Sequence, residues 1–171
     1  GLFISNTATA VLMAPLNAQP RPDPVVYLEG GPGGSPIASI DFCTSPPAPF
    51  LGNRDLILVD QRGTGYSKPR LTCDQLTDEL YGPMVVTVTE GCVRILQNSG
   101  ADLGAFDTTE SALDLYDLRR AMQITEWNLF GISYGTDLAL WTLHTRPQGI
   151  RSVVLDSVYP PDVEAYAALV P

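Results

Sequence analysis

Residues 127–145 hold the feature that most restricts how this chain can fold. Trp127-Asn128-Leu129-Phe130-Gly131-Ile132 reads as a buried strand, and Tyr134 to Thr145 reads as a helix that buries Leu138, Ala139 and Trp141. Only Ser133 lies between them, and the junction spells Gly131-x-Ser133-x-Gly135. A strand that passes into a helix through one residue bends its backbone through a strained conformation, and side chains flanking the bend would collide with neighbouring strands. Such a turn lifts a serine hydroxyl clear of the sheet, where it can serve as a nucleophile.

Two other apolar runs end in the same manner. Val25 to Leu28 (VVYL) leads into Glu29-Gly30-Gly31-Pro32-Gly33-Gly34, and Asp55 to Asp60 (DLILVD) leads into Gln61-Arg62-Gly63-Thr64-Gly65-Tyr66-Ser67. Short continuous apolar runs are expected of strands buried on both faces. Asp107-x-x-Glu110 resembles a capping box, and Ala112, Leu115, Leu118 and Met122 share one face of the helix it would start. Thr7 to Met13 and Ser152 to Leu155 read as further strands, whereas the prolines between Ser35 and Phe50 predict a loop. Buried strands alternating with helices predict an α/β fold with a doubly wound, mostly parallel sheet. One domain would span residues 1–171, with residues 71–105 an excursion from its core. In such sheets ligands gather at the carboxyl ends of the strands, where all three glycine-rich turns fall.

A net charge of −9 argues against nucleic acid and anionic membrane surfaces as partners. No stretch reaches the ~20 apolar residues that span a bilayer. The segment from Gly1 to Ala14 lacks a basic start and does not read as a signal peptide. With one histidine and no closely spaced cysteines, no metal or cofactor is expected. Two readings stand for Cys43, Cys73 and Cys92. A Cys73–Cys92 bridge across the excursion would mean an oxidising, secreted or periplasmic setting, and three free thiols would suit the cytoplasm.

A serine hydroxyl needs a base to take its proton and fixed donors to meet the developing oxyanion. The N–H of Tyr134, aided by the helix dipole, is one candidate donor, and the N–H of Gly31 in the first glycine-rich turn is the other. A phosphate site in that turn is the weaker alternative. Pro32 has no N–H, the turn has no lysine, and neither glycine-rich phosphate pattern occurs. His144 lies eleven residues after Ser133 on the same helix, about 16 Å along its axis, which predicts a structural or surface role. Lys68, the only lysine, is a weaker base candidate, and Asp156 is either a catalytic acid or a turn-capping carboxylate. The order Ser, then Asp or Glu, then His would place the missing members downstream.

Taken together, Leu28-Glu29-Gly30-Gly31-Pro32-Gly33-Gly34-Ser35, Val59-Asp60-Gln61-Arg62-Gly63-Thr64-Gly65-Tyr66-Ser67 and Gly131-Ile132-Ser133-Tyr134-Gly135 resemble an α/β-hydrolase. The similarity is greatest to the branch of proline iminopeptidases and secreted tripeptidyl aminopeptidases, and covers about Val25 to Asp162. It implies a serine exopeptidase acting on peptide N-termini, with Ser133 forming the acyl-enzyme and the N–H groups of Gly31 and Tyr134 forming the oxyanion hole. It also implies a structural role for Asp60 and Arg62. Proline iminopeptidases carry His where this chain has Glu29. Members of the branch continue into a helical cap, an acid and a histidine. The expectation is therefore the N-terminal part of an α/β-hydrolase core, lacking cap and later strands, inactive alone and open to association through an uncovered sheet edge. Two other functions compete: an esterase or small-amide hydrolase using the same Ser133, and a non-catalytic binding module that keeps the hydrolase-like core.

Overall fold

The apolar runs become strands β1 (Ala10–Ala14), β2 (Val25–Leu28), β3 (Leu56–Asp60), β4 (Trp127–Ile132) and β5 (Ile150–Asp156). They are seen in a computed structural model that describes residues 9–14, 19–39, 51–73 and 85–159. The strands form one sheet in the order β1-β3-β2-β4-β5. β2 lies parallel to β3 and β4, β4 lies parallel to β5, and only β1 runs antiparallel, against β3. This is the predicted α/β class with a mostly parallel sheet. The chain moves from β2 to β3 on one side and then returns to place β4 on the other. The topological switch point, where ligands bind in such sheets, thus lies between β2 and β4.

Every residue of β2 and β3 is buried, as their unbroken apolar runs predict. Their alternating side chains divide between two cores. One face carries Val26, Leu28, Ile57, Val59, Trp127 and Leu129. Helices α2 (Thr108–Ala121) and α3 (Tyr134–Thr145) cover this face through Ala112, Leu115, Leu138 and Ala139. Fully burying one such aliphatic side chain contributes about 1.5–3 kcal/mol. The other face carries Val25, Tyr27, Leu56 and Leu58, covered by Leu51 and Ile37. β5 is the outermost described strand on its side, and Val154 there is 49% exposed.

At the amino ends of the strands, Asp23 takes hydrogen bonds from Arg54 and Asn128 and an ion pair from Arg151. Burial pushes its carboxyl up, but the Asn128 amide and Arg54 guanidinium outweigh burial and hold it below its ordinary pKa.

The boundaries shift in places. The first strand begins at Ala10 rather than Thr7, which lies outside the described residues, and β5 exceeds the expected Ser152–Leu155 at both ends. Within residues 71–105, Val85–Asn98 is a regular helix, α1. Its β-branched start (VVTVT) lowers helix propensity, which hides it in the sequence. Cys92 on α1 is bridged to Cys73, so the free-thiol reading fails for that pair. Cys43 lies outside the described residues.

Candidate active site

Two main-chain approaches explain the glycines beside Ser133. A β-carbon on Gly135 would overlap the carbonyl of Leu28, and one on Gly131 would overlap the carbonyl of Gly135. β2, β4 and α3 therefore meet at a distance that admits only hydrogen at these positions. Between them, exposed Ser133 adopts φ 54°, ψ −122°, a strained conformation for a residue with a side chain. Its neighbours hold it there. The Ser133 N–H donates to the Asp156 carbonyl at 2.9 Å, and the Ser133 carbonyl accepts from the Thr136 N–H at 2.9 Å and the Thr136 hydroxyl at 2.6 Å. The same hydroxyl accepts from the Tyr159 N–H at 2.7 Å.

The turn after β2 approaches this serine. The β-carbon position of Gly30 falls 3.0 Å from Ser133 Cβ and 3.5 Å from its Oγ. Gly31 follows at φ 116°, a conformation that glycine adopts without steric cost. Tyr134 opens α3, and its hydroxyl pairs with Thr108 Oγ1 at 2.9 Å. The elbow and the first glycine-rich turn thus converge at the switch point. The hydroxyl here stands beside the positive end of a helix and a main-chain turn, surroundings that can support addition to a carbonyl.

His144 sits in the last turn of α3, edge-on to Trp141 with ring centres 5.7 Å apart, at the far end from Ser133. Lys68 is exposed. Asp156 is exposed at the end of β5, and its Oδ1 accepts from the Ser157 hydroxyl. Its contribution to the elbow comes from the main-chain carbonyl that holds Ser133, a role invisible in residue identity. Among the described residues no cluster of His, Cys, Asp and Glu is placed to hold a metal ion, and no helix is long and apolar enough to cross a membrane.

Asp60 and Arg62 knit the surrounding turns. Buried Asp60 accepts from Ser35 Oγ at 2.8 Å, the Ile37 N–H at 3.3 Å and the Tyr66 N–H at 2.8 Å, joining the first two glycine-rich turns. Arg62 makes two bonds to Asp114 and one each to Glu110 and the Ala105 carbonyl. Burial draws its pKa down, but Asp114 and then Glu110 more than offset this and hold it above the ordinary value. Asp107 caps α2 by accepting from the Glu110 N–H at 2.7 Å. The Glu110 carboxylate goes to Arg62, so the capping box is spent partly on tertiary structure.

Sequence reasoning missed Asp137. It lies buried in the first turn of α3, and its Oδ1 has no hydrogen-bond partner among the described residues. Burial raises its carboxyl pKa against a hydrogen bond from Thr108 that lowers it. A folded-state value above the unfolded one stabilises the protein most below the ordinary aspartate range, and that contribution is lost as pH rises through the raised value. Asp137→Asn is expected to remove this decline and to gain about 1–2 kcal/mol at neutral pH. Unfolding midpoints of the native protein and the variant at pH 3, below the ordinary aspartate range, and at pH 7.5 check it, and equal gains at both would contradict it.

The alpha/beta hydrolase fold family matches residues 23–171, and the chain belongs to that family. The tripeptidyl aminopeptidase of Streptomyces coelicolor is 29% identical over 161 residues, covering 82% of this chain and 29% of that protein. The proline iminopeptidase of Xylella fastidiosa is 29% identical over 140 residues, covering 82% of this chain and 34% of that protein. Among solved structures, a proline iminopeptidase from Mycobacterium smegmatis superposes with a TM-score of 0.55 at 22% identity, covering 86% of this chain and 40% of that one. This likeness supports the shared fold. The chain spans about a third or less of the length of the curated relatives it matches.

Proposed function

We propose that Ser133 is the nucleophile of a serine aminopeptidase that releases residues from peptide N-termini. The observation that carries this reading is the exposed Ser133 at a strained strand–helix junction, with the Gly30 turn so near that a β-carbon on Gly30 would lie 3.5 Å from its Oγ. Ser133 Oγ attacks the scissile carbonyl, its proton passes through a base to the leaving amine, and an acyl-enzyme results. The N–H groups of Gly31 and Tyr134 receive the oxyanion. An imidazole and a carboxylate from outside the described residues supply the base and its orienting partner, so these residues are inactive alone. The peptidase names of two relatives favour peptide over ester substrates. An oxidising, secreted or periplasmic location fits the Cys73–Cys92 bridge. The outer edge of β5 is a surface for a further strand or a second copy.

Treating the native protein with a fluorophosphonate probe and mapping the adduct by peptide mass spectrometry should place it on Ser133. An adduct on another residue removes Ser133 from the role. Faster turnover of aminoacyl anilides than of short nitrophenyl esters is expected, and the reverse order favours an esterase.

A further inference from the structure

We propose that the buried hydroxyl of Thr136 aims the oxyanion donor beside Ser133. It does so by gripping the peptide group that joins Ser133 to Tyr134 and relaying into it the main-chain N–H of Tyr159. The inference deepens the peptidase reading above and rests on it. A trans peptide unit is planar, so its C=O and N–H point in opposite directions and turn as one body. The Ser133 carbonyl and the Tyr134 N–H belong to one such unit. Whatever fixes that carbonyl therefore fixes the direction of that N–H. Two donors hold the carbonyl, and both come from Thr136: its N–H at 2.9 Å and its hydroxyl at 2.6 Å. The N–H closes a turn that any residue except proline could close. The hydroxyl is what threonine adds.

Counting protons gives the bonds a direction. A hydroxyl has one proton to donate and lone pairs to accept with. The Tyr159 N–H can only donate, and it meets Thr136 Oγ1 at 2.7 Å. It takes a lone pair there and leaves the hydroxyl proton for the Ser133 carbonyl. The result is an ordered chain from the Tyr159 N–H through the Thr136 hydroxyl to the Ser133 carbonyl, with the Tyr134 N–H at its far end. Linked hydrogen bonds polarise one another, so a carbonyl gripped twice makes the N–H of its own peptide a better donor. Thr136 is 0% exposed, which keeps water from competing for its hydroxyl. Ser133 needs such a grip, because its φ 54°, ψ −122° conformation persists only where the surroundings over-determine it, and ψ is the angle that turns this peptide unit. Thr136 touches none of the reacting atoms, so its part is positioning. It also ties the site to the segment that leaves β5. Asp156 holds the peptide unit before the Ser133 α-carbon directly, and Tyr159 holds the one after it through Thr136.

Two substitutions in the native protein test this. Thr136→Val keeps the branched shape and the main-chain N–H but removes the hydroxyl, whereas Thr136→Ser keeps the hydroxyl and gives up a methyl. Turnover of an aminoacyl anilide and the rate at which a fluorophosphonate labels Ser133 are measured beside the unfolding midpoint. Losing an oxyanion donor outright costs on the order of 10²–10³ in kcat, and a donor present but loosely aimed should cost about tenfold. Thr136→Val is therefore expected to lose about tenfold in kcat and in labelling rate with KM within about twofold, and Thr136→Ser to recover most of that loss. Should the Thr136→Val protein not fold, Thr136→Ala, which adds no bulk, is read in the same way. A Thr136→Val protein that is less stable yet reacts at the parent rate would overturn the inference, because the hydroxyl would then only hold the fold. A Thr136→Ser protein as slow as Thr136→Val would overturn it too, since methyl packing would then be the cause. No adduct at Ser133 in the unsubstituted protein would defeat the peptidase reading itself, a result distinct from any difference among the Thr136 variants.

Discussion

Ser133→Ala is expected to cut turnover of an aminoacyl anilide by a factor on the order of 10⁴ to 10⁶ while leaving the unfolding midpoint in place. The two effects separate because of how this residue is held. Its hydrogen bonds to Asp156 and Thr136 run through the main chain, which alanine retains. Alanine also keeps a β-carbon, so the strained backbone at φ 54° changes little. The hydroxyl stands in solvent, and its loss leaves no buried group unsatisfied. On the proposed reading, what disappears is the atom that bonds to the substrate, and the remaining donors would sustain only residual catalysis. Steady-state kinetics with denaturant unfolding checks both halves. Turnover within tenfold of the parent protein would mean that another residue attacks.

Gly135→Ala should do the opposite and act on the fold. The added β-carbon meets the main chain of Leu28 and lies 3.1 Å from the Glu29 carbonyl, so no flexible side chain can yield. Either α3 moves off the sheet or β2 shifts away from β4 at the switch point. Overpacking in a core costs about 1–3 kcal/mol, and backbone obstruction places this change at about 3 kcal/mol or above. That is a large part of the stability of an ordinary domain. Gly104→Ala is the control, since its β-carbon would meet only Asp102 Oδ1, at 3.3 Å. Chemical denaturation of the two variants should separate them clearly. A Gly135→Ala protein within about 1 kcal/mol of its parent would contradict the close approach described here.

Much of this arrangement is written in local patterns. Unbroken apolar runs such as VVYL and LILVD announce strands buried on both faces, and the single-residue passage from Ile132 to Tyr134 announces the elbow. Turns that need glycine for steric reasons are legible because few other residues could stand there. Contacts made through the main chain are not. Nothing about Asp156 as an amino acid tells that its carbonyl would hold the Ser133 amide. Helix α1 was obscured by β-branched residues whose local preference is overridden in the fold, where Cys92 is tied to Cys73. Asp137 shows a further limit, because a polar residue in a helical first turn reads as an exposed dipole partner, yet this one is buried.

The bond from the Ser133 amide to the Asp156 carbonyl ties this residue to the outermost described strand on its side of the sheet. Fraying there would slacken the Ser133 hydroxyl before it disturbed the interior, and whatever clamps that edge also fixes the position of the hydroxyl. On the proposed reading, ordering the edge of β5 and fixing the nucleophile are coupled through this one amide.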